Sequence, residues 1–289
     1  MSVSELYAAY SNLINFLGIN ALLGLSIYAT LATGQLSVGN AAFMGIGAYT
    51  AALLGMRLGL PFLPSLVLGS LAGGSAAFLL GLPVLRLSGV FLAIATIGFG
   101  EIVRIVALNA TPVTGGAMGL NGIPSITQTW HIYLSLAVVL FIFWRIRGSR
   151  LGYTWEAIRQ DEVAARNLGI DTTRHKVLAF TLGGLLAGLA GGLAAHFTFF
   201  IGPNEYGFSQ ATNILVYAVV GGAGVFWGPV LGSTLITLLP EVLRGVGVTA
   251  GAVRLFVNGL ILLLVIVFLP NGLVSLFRRR PRSAQCNKA

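Results

Sequence analysis

The apolar residues of this 289-residue chain form long runs, and its polar residues are concentrated in short breaks between those runs. Several runs extend for about 20 residues almost without charge, the length at which an α-helix crosses the hydrocarbon core of a bilayer. The pattern predicts an all-α polytopic membrane protein with about nine transmembrane helices, within a range of eight to ten. The expected spans are 11–32, 36–56, 62–84, 89–109, 132–147, 176–199, 209–222, 228–243 and 253–272.

Two of the breaks, at 33–40 and 221–229, are rich in glycine and lie in different halves of the chain. Broken helices in corresponding positions of two halves are typical of transporters with an inverted internal repeat, whose transport path runs past the breaks. We therefore expect such a repeat. Residues 209–243 could instead form two short helices joined by a re-entrant turn, which a bilayer tolerates where the turn is buried in protein or lines a cavity.

The segment 145–176 is unusually polar, with eleven of the 25 Lys, Arg, Asp and Glu residues of the chain. Lys and Arg accumulate in cytoplasmic loops, whereas residues 111–133 carry no charge. This asymmetry predicts that 145–176 and the C-terminus are cytoplasmic and that the N-terminus is outside. We expect a single transmembrane domain over 1–282 and a polar tail over 283–289.

Segment 145–176 has the capping residues of two short helices. Thr154 and Asp161 are suitable N-caps for 155–160 and 162–168, and Gly169 suits the left-handed position after the second helix. An apolar stripe recurs at three- and four-residue steps: Leu151, Trp155, Ile158 and Ala165. Because charges of both signs surround this stripe, we expect it to dock into a groove of a protein partner and not onto a lipid surface.

Catalytic and cofactor-binding patterns are missing from the sequence. The only lysines, Lys176 and Lys288, follow no glycine run of the phosphate-binding type. The histidines lack metal-ligand spacing, and no Ser-His-acid or Cys-His arrangement is evident. We therefore expect a non-catalytic chain that binds no metal, cofactor or nucleic acid, so that energy comes from a membrane gradient or from a partner.

Glu101 and Arg104 are ionisable residues inside a predicted span, three positions apart and hence neighbours on one helix face. They could form a proton site, since intramembrane charges are commonly functional. The alternative is an intramembrane ion pair that fixes helix packing. We favour packing, because a proton relay needs further buried acids and the remaining candidates, Glu205 and Glu241, lie in or near loops.

Uncharged polar residues at membrane depth or its edge are candidates for the lining of a translocation path. The set comprises Gln35, Ser37, Asn40, Gln210, Asn213 and Tyr217. Hydrogen bonding between helices is the alternative and is favoured for any single residue. For Gln35, Ser37 and Asn40 as a group beside a break, both interpretations stay open.

Three motifs resemble those of LivM-type permeases, the branched-chain amino acid permeases of ABC importers. They are GQLSVGNAAFMGIGAY at 34–49, FLAIATIGFGEIVR at 91–104 and GGAMGL at 115–120. The run EVAA at 162–165 with Gly169 resembles the cytoplasmic EAA signature of ABC permeases, with Glu162 one position further from the glycine than usual. Asn40 stands where the family would have His, which puts the identity of the substrate in doubt.

The resemblance implies an inner-membrane complex. A second, LivH-like permease subunit, two cytosolic ATPase subunits and a periplasmic solute-binding protein would be the partners, with ATP and Mg²⁺ bound by the ATPases. The residues expected to couple to an ATPase are Trp155, Glu162, Ala165, Arg166 and Gly169. A urea or short-amide permease of the same architecture is one alternative, and a gradient-driven secondary transporter or channel is another.

Overall fold

The computed structural model describes residues 3–245, Gly259 and residues 272–274, and the described chain is mostly helical. The helices are α1 Val3–Leu31, α2 Asn40–Leu58, α3 Phe62–Val84, α4 Val90–Asn109, α5 Thr111–Thr114, α6 Thr129–Arg147, α7 Arg150–Gln160, α8 Glu162–Asn167, α9 Thr172–Thr198, α10 Phe208–Gly221 and α11 Trp227–Gly245. Two strands, β1 Leu120–Asn121 and β2 Phe200–Ile201, form a small antiparallel pair that the all-α prediction did not include.

Six described helices are long and apolar enough to cross a membrane: α1 (from Tyr10), α2, α3, α4, α6 and α9. They match the first six predicted spans. Helices α10 and α11 coincide with 209–222 and 228–243 but are not among these six, and most of 253–272 lies outside the described residues. The six helices are those of a multi-pass helical membrane protein. The count of nine transmembrane helices and the inverted repeat stay predictions.

Helices α2, α3 and α9 pack against one another through glycines. A Cβ atom at Gly73 of α3 would lie 2.8 Å from the carbonyl oxygen of Gly184 in α9. At Gly188 it would lie 2.9 Å from the carbonyl oxygen of Gly69, and at Gly192 2.9 Å from Leu66 Cδ1. Because small residues let membrane helices approach closely, the glycines spaced by four residues on α9 form a helix-contact seam.

The loops that follow α4 and α9 pair with each other at one end of the bundle. Strand β1 pairs with β2, and the His196 ring nitrogen Nδ1 lies 3.0 Å from the carbonyl oxygen of Pro124. The segment 145–176 lies at the other end of α6 and α9, where α7 packs against both helices. The bundle therefore has one end closed by paired loops and one end covered by the charged helices.

Candidate translocation and coupling site

The first break, between α1 and α2, is held in a single folded shape by local bonds. Gly34 adopts a left-handed φ of +77°, which reverses the chain after α1. The Thr33 hydroxyl donates to the carbonyl oxygen of Thr30 at 3.0 Å, and the Val38 amide donates to Thr96 Oγ1 of α4 at 3.1 Å. The break is therefore an ordered element that is tied to α4.

The three predicted path residues of this break are buried: Gln35 is 3% exposed, Ser37 0% and Asn40 1%. Asn40 Nδ2 donates to Ser26 Oγ, and Ser37 Oγ accepts from the Gly39 amide at 3.3 Å. In the part of the chain that the structure describes, neither side-chain amide atom of Gln35 has a hydrogen-bond partner, and the Oδ1 atom of Asn40 has none. Buried polar atoms are nearly always paired with protein or water, so these atoms are available to form hydrogen bonds with a polar solute.

The candidates on α10 share one helix face but differ in burial. Tyr217 is 5% exposed, Gln210 is half-buried and Asn213 is exposed. Among the described residues they form no hydrogen bond with Gln35, Ser37 or Asn40. The structure therefore brings the break residues together as one cluster and leaves the α10 residues as a separate polar face beside them.

Glu101 and Arg104 form an ion pair in α4, with Arg104 Nε 2.8 Å from Glu101 Oε2. Their side chains are 35% and 30% exposed, and Arg104 Nη1 also donates to Asn204 Oδ1 at 3.0 Å. A Cβ atom at Gly207 would lie 3.0 Å from Arg104 Cδ. The pair thus ties α4 to the loop that precedes α10.

The capping of α8 follows the sequence closely. Asp161 Oδ1 accepts from the amides of Val163 and Ala164 at 2.9 and 3.0 Å. After α8, Gly169 has φ +83°; its amide donates to Arg166 and the Ile170 amide donates to Ala165. These two bonds are the pattern of a Schellman C-cap. The expected cap at Thr154 is wrong: α7 begins at Arg150, and the Thr154 hydroxyl donates back to the Arg150 carbonyl inside the helix.

Glu162 connects α8 to the start of α9. Its carboxylate accepts from Lys176 Nζ at 2.5 Å and from Arg166 Nη2 at 3.2 Å. Partial burial opposes ionisation, but the bond and charge of Lys176, with Arg166 and Thr172, outweigh it and hold the pKa of the Glu162 carboxyl below its ordinary value. The ionised form therefore stabilises this corner at neutral pH.

Three of the four residues in the apolar stripe of segment 145–176 face the permease and not a partner, which corrects the predicted use of that stripe. Trp155, Ile158 and Ala165 are 4%, 3% and 2% exposed. Trp155 packs in a small cluster with Ala32 and Ala179. Leu151, the fourth residue of the stripe, is 40% exposed, and the more exposed large apolar side chains of the segment are Tyr153 (71%), Val163 (70%) and Leu168 (81%).

Arg159 of α7 lies against both breaks. A Cβ atom at Gly34 would lie 3.5 Å from Arg159 Cα, so the first break packs on the α7 backbone. Arg159 Nη1 lies 3.5 Å from the carbonyl oxygen of Ala223 in the second break, while Nη2 donates to Glu156 Oε1 at 2.7 Å. Arg159 therefore contacts both breaks, so a displacement of α7 would change a contact at each of them.

Sequence reasoning missed three residues of this arrangement. Ser26 and Thr96, both 0% exposed, support Asn40 and the first break, and Arg159 bridges the breaks. The available signal for Ser26 and Thr96 was a hydroxyl inside an apolar span. Arg159 had no such signal, since it was one of seven basic residues in its segment.

Comparison with known proteins identifies the family. The family model described as branched-chain amino acid transport system / permease component matches residues 9–266. The chain is 36% identical to the high-affinity branched-chain amino acid transport system permease protein LivM of Salmonella typhimurium and to that of Escherichia coli, over 91% of this chain and 67% of each relative. It is 27% identical to the autoinducer 2 import system permease protein LsrC of Yersinia pseudotuberculosis, over 88% of this chain and 75% of the relative.

No solved structure matches the chain significantly. The matched residues include all six candidate membrane helices almost completely, both breaks and the whole of segment 145–176. The relatives are permease subunits of transport systems, and such a subunit is a non-catalytic membrane component. This chain belongs to the family of branched-chain amino acid transport system permease components of ABC importers.

Proposed function

We propose that this chain imports branched-chain amino acids across a bacterial inner membrane as one permease subunit of an ATP-driven complex. The substrate class is supported by the family description and by the two LivM relatives at 36% identity. The autoinducer 2 permease is a more distant relative at 27% identity. A urea substrate and a stand-alone gradient-driven carrier have no comparable support.

The proposed partners are a second permease subunit, two cytosolic ATPase subunits that bind ATP and Mg²⁺, and a periplasmic solute-binding protein. An ATPase is expected to contact the outward side of α7 and α8. Tyr153, Val163 and Leu168 offer exposed apolar surface there, and the exposed side chain of Arg166 adds a positive charge. This surface is then held in position by residues on the permease side of the two helices and at their ends: Trp155, Glu162, Ala165 and Gly169.

The proposed topology has nine spans, an external N-terminus and a cytoplasmic C-terminus. Helix α10 begins beside Arg104 and ends beside Arg159, which supports a crossing helix and not a re-entrant hairpin. The Leu273 amide donates to the carbonyl oxygen of Val220 at 2.9 Å, so Leu273 lies beside the second break. The ninth span of the proposal, 253–272, rests on the sequence pattern, since most of it lies outside the described residues.

The proposed path passes the first break. The unpaired amide of Gln35 and the unpaired Oδ1 of Asn40 are the groups that a zwitterionic solute could use. Asn213 supports a path along α10. Its carboxamide is exposed, and facing lipid would cost it free energy, so in this proposal it faces the path instead. Glu101 and Arg104 act structurally in this proposal, since each already has a partner on the helix and Arg104 has a second in the adjacent loop.

The single observation that carries the coupling mechanism is the position of Arg159 between the two breaks. A partner that moves α7 would move Gly34 and Ala223 together, and so would change the path at two places with one displacement. In this proposal α7 transmits a displacement from outside the membrane to both breaks, and two positions of α7 would link ATP hydrolysis to transport.

The test is uptake of radiolabelled L-leucine by proteoliposomes that contain the complete assembly. We expect uptake that needs ATP, survives dissipation of the proton gradient and is competed by isoleucine and valine but not by urea. The purified chain alone should hydrolyse no ATP. Leucine uptake by this chain alone, driven by an ion gradient, would overturn the proposal.

A further inference from the structure

A cavity of about 420 Å³ lies between α7, the inner ends of α1 and α6, and the second break. Its volume falls within the range of roughly 300–1,000 Å³ that is usual for small-molecule sites. The residues that give it chemical character are Tyr28, Phe143, Arg147, Trp155, Glu156 and Arg159. It opens beside Tyr153, which also belongs to the outward surface proposed for the ATPase, and extends inward to the second break.

The cavity contains hydrogen-bond donors without an acceptor. Trp155 is 4% exposed, yet its Nε1–H has no hydrogen-bond partner among the described residues. Arg147 is exposed and forms no ion pair with any side chain in the part of the chain that the structure describes. Burying the unpaired N–H of Trp155 costs free energy, so the site is suited to a ligand that supplies acceptor atoms to this donor and to the nearby guanidinium.

The charge of the cavity favours an anion. Arg159 pairs with Glu156 at 2.7 Å, whereas the Arg147 guanidinium has no ion-pair partner among the described residues. A carboxylate offers two acceptor oxygens that a guanidinium and an indole N–H can bind together. An amine offers only donors, which can bind neither the Arg147 guanidinium nor the Trp155 N–H.

The remaining wall is apolar and aromatic. The Tyr28 and Phe143 rings pack edge to face with centroids 5.4 Å apart, and Ala32 and Ile146 complete this side. A branched aliphatic or aromatic side chain would bury apolar area against these residues, which is favourable in proportion to the area removed from water. The lining thus separates a carboxylate end from an apolar end.

We propose that this cavity binds a small carboxylate with an apolar side chain. The identification of that ligand as the imported amino acid, reaching the site from the cytoplasm, rests on the proposed function; the carboxylate class does not. A ligand that binds this arrangement of α7, α1 and α6 stabilises it relative to others. Accumulated amino acid inside the cell therefore slows further movement of α7 and lowers the rate of uptake.

Calorimetric titration of the full-length chain in phosphatidylcholine nanodiscs tests the site. The probes are L-leucine, 4-methylpentanoate, which lacks the amine, and 3-methylbutylamine, which lacks the carboxylate. We expect the first two to bind and the amine not to bind. Arg147→Gln should weaken binding at least tenfold, and Trp155→Phe, which keeps an aromatic ring but loses the N–H, should weaken it several-fold.

Arg145→Gln is the matched control, because Arg145 is exposed on the same helix end but does not line the cavity. It should bind like the wild type. Equal binding of 3-methylbutylamine, or full affinity in both Arg147→Gln and Trp155→Phe, overturns the carboxylate site.

A second measurement uses the complete assembly in proteoliposomes preloaded with L-leucine. Preloading should lower the initial uptake rate of the wild type and leave that of Arg147→Gln unchanged, a difference that a merely structural role of Arg147 would not produce. Normal leucine uptake without 4-methylpentanoate binding refutes the cavity site alone. Binding of 4-methylpentanoate without any leucine uptake refutes the proposed function alone.

Discussion

Arg159 on α7 reaches the carbonyl oxygen of Ala223 with its Nη1 atom at 3.5 Å, across the junction between the coupling helices and the break that joins α10 to α11. The same guanidinium is held from the other side by Glu156 at 2.7 Å. Gly34 of the first break packs on the backbone of the same residue. One side chain on one helix thus contacts the two places where the membrane helices are interrupted.

Replacing Arg159 by Lys should uncouple the transporter. A single ammonium keeps the charge but cannot bond Glu156 and Ala223 in the fixed fork of a guanidinium. We expect leucine uptake by the assembly to fall about tenfold, equivalent to about 1.4 kcal/mol, while ATP hydrolysis continues. The control is Arg174→Lys, because the Arg174 side chain is 84% exposed and, among the described residues, forms an ion pair with Asp171. Unchanged uptake in Arg159→Lys would remove the bridge from the mechanism.

Gln35→Met should separate function from stability. The Gln35 amide is buried without a partner, and an unpaired buried polar group costs about 1–3 kcal/mol. An apolar side chain of similar size should therefore leave thermal stability unchanged or raised, while uptake falls because the path has lost its polar group.

Thr181→Val on α9 is the matched control for Gln35→Met, since Thr181 Oγ1 is another buried polar atom without a partner among the described residues and Thr181 is not a path candidate. It should alter neither uptake nor stability adversely. Should Gln35→Met lower the melting temperature and the uptake together, Gln35 would be a packing residue.

Much of this architecture was predictable from the sequence because bilayer length and charge asymmetry are strong constraints. The Asp161 cap and the left-handed Gly169 each follow from local rules, and both are confirmed. The apolar stripe shows what local rules cannot predict, namely which surface a helix face packs against. Spacing indicates that Trp155, Ile158 and Ala165 share a face, but only the tertiary structure shows that this face covers α1 and α9.

The Arg159 bridge and the cavity behind α7 could not be predicted for the same reason. Both depend on residues more than 60 positions apart, such as Arg159 and Ala223. No single-helix periodicity carries information about such a pair. Thr154 failed as a predicted cap because the helix it was expected to begin starts one turn earlier, at Arg150.

Cysteine labelling tests the topology. In a Cys286→Ser background, Ser125→Cys should react with a membrane-impermeant maleimide added outside, and Asn167→Cys should react only after permeabilisation. Both positions are exposed in the structure, whereas Ser149, whose hydroxyl donates to Ile146, is less accessible. Labelling of Asn167→Cys from outside would invert the proposed orientation.

Gly169→Val should disable coupling through the backbone alone. Gly169 has φ +83° and nothing within 4 Å of an added Cβ, so the substitution adds strain without a clash. A left-handed conformation costs an L-residue about 1–2 kcal/mol, and more for a β-branched one. We expect normal membrane insertion but reduced ATPase co-purification and uptake. Gly148→Val is the matched control, because Gly148 also has open space but a φ of −88°; equal losses in both variants would contradict the C-cap argument.

Two substitutions to Glu on α8 and its C-cap should distinguish the face that packs on the permease from the face that contacts the ATPase. Ala165 is 2% exposed, so Ala165→Glu buries an unpaired charge at a cost of several kcal/mol and should lower the thermal stability of the chain alone. Leu168 is 81% exposed, so Leu168→Glu should leave that stability unchanged.

In the assembly, however, Leu168→Glu places a charge in the proposed apolar contact with the ATPase, and co-purification should fall about tenfold. Asn167→Glu, on an exposed neighbour whose side chain is already polar, controls for added negative charge. Thermal unfolding and pull-down of the ATPase are measured on the same preparations. If Leu168→Glu binds the ATPase as well as the wild type while Ala165→Glu destabilises the chain as expected, the outward apolar surface of α7 and α8 is not the contact, and the partner must reach α7 through its charged side chains instead.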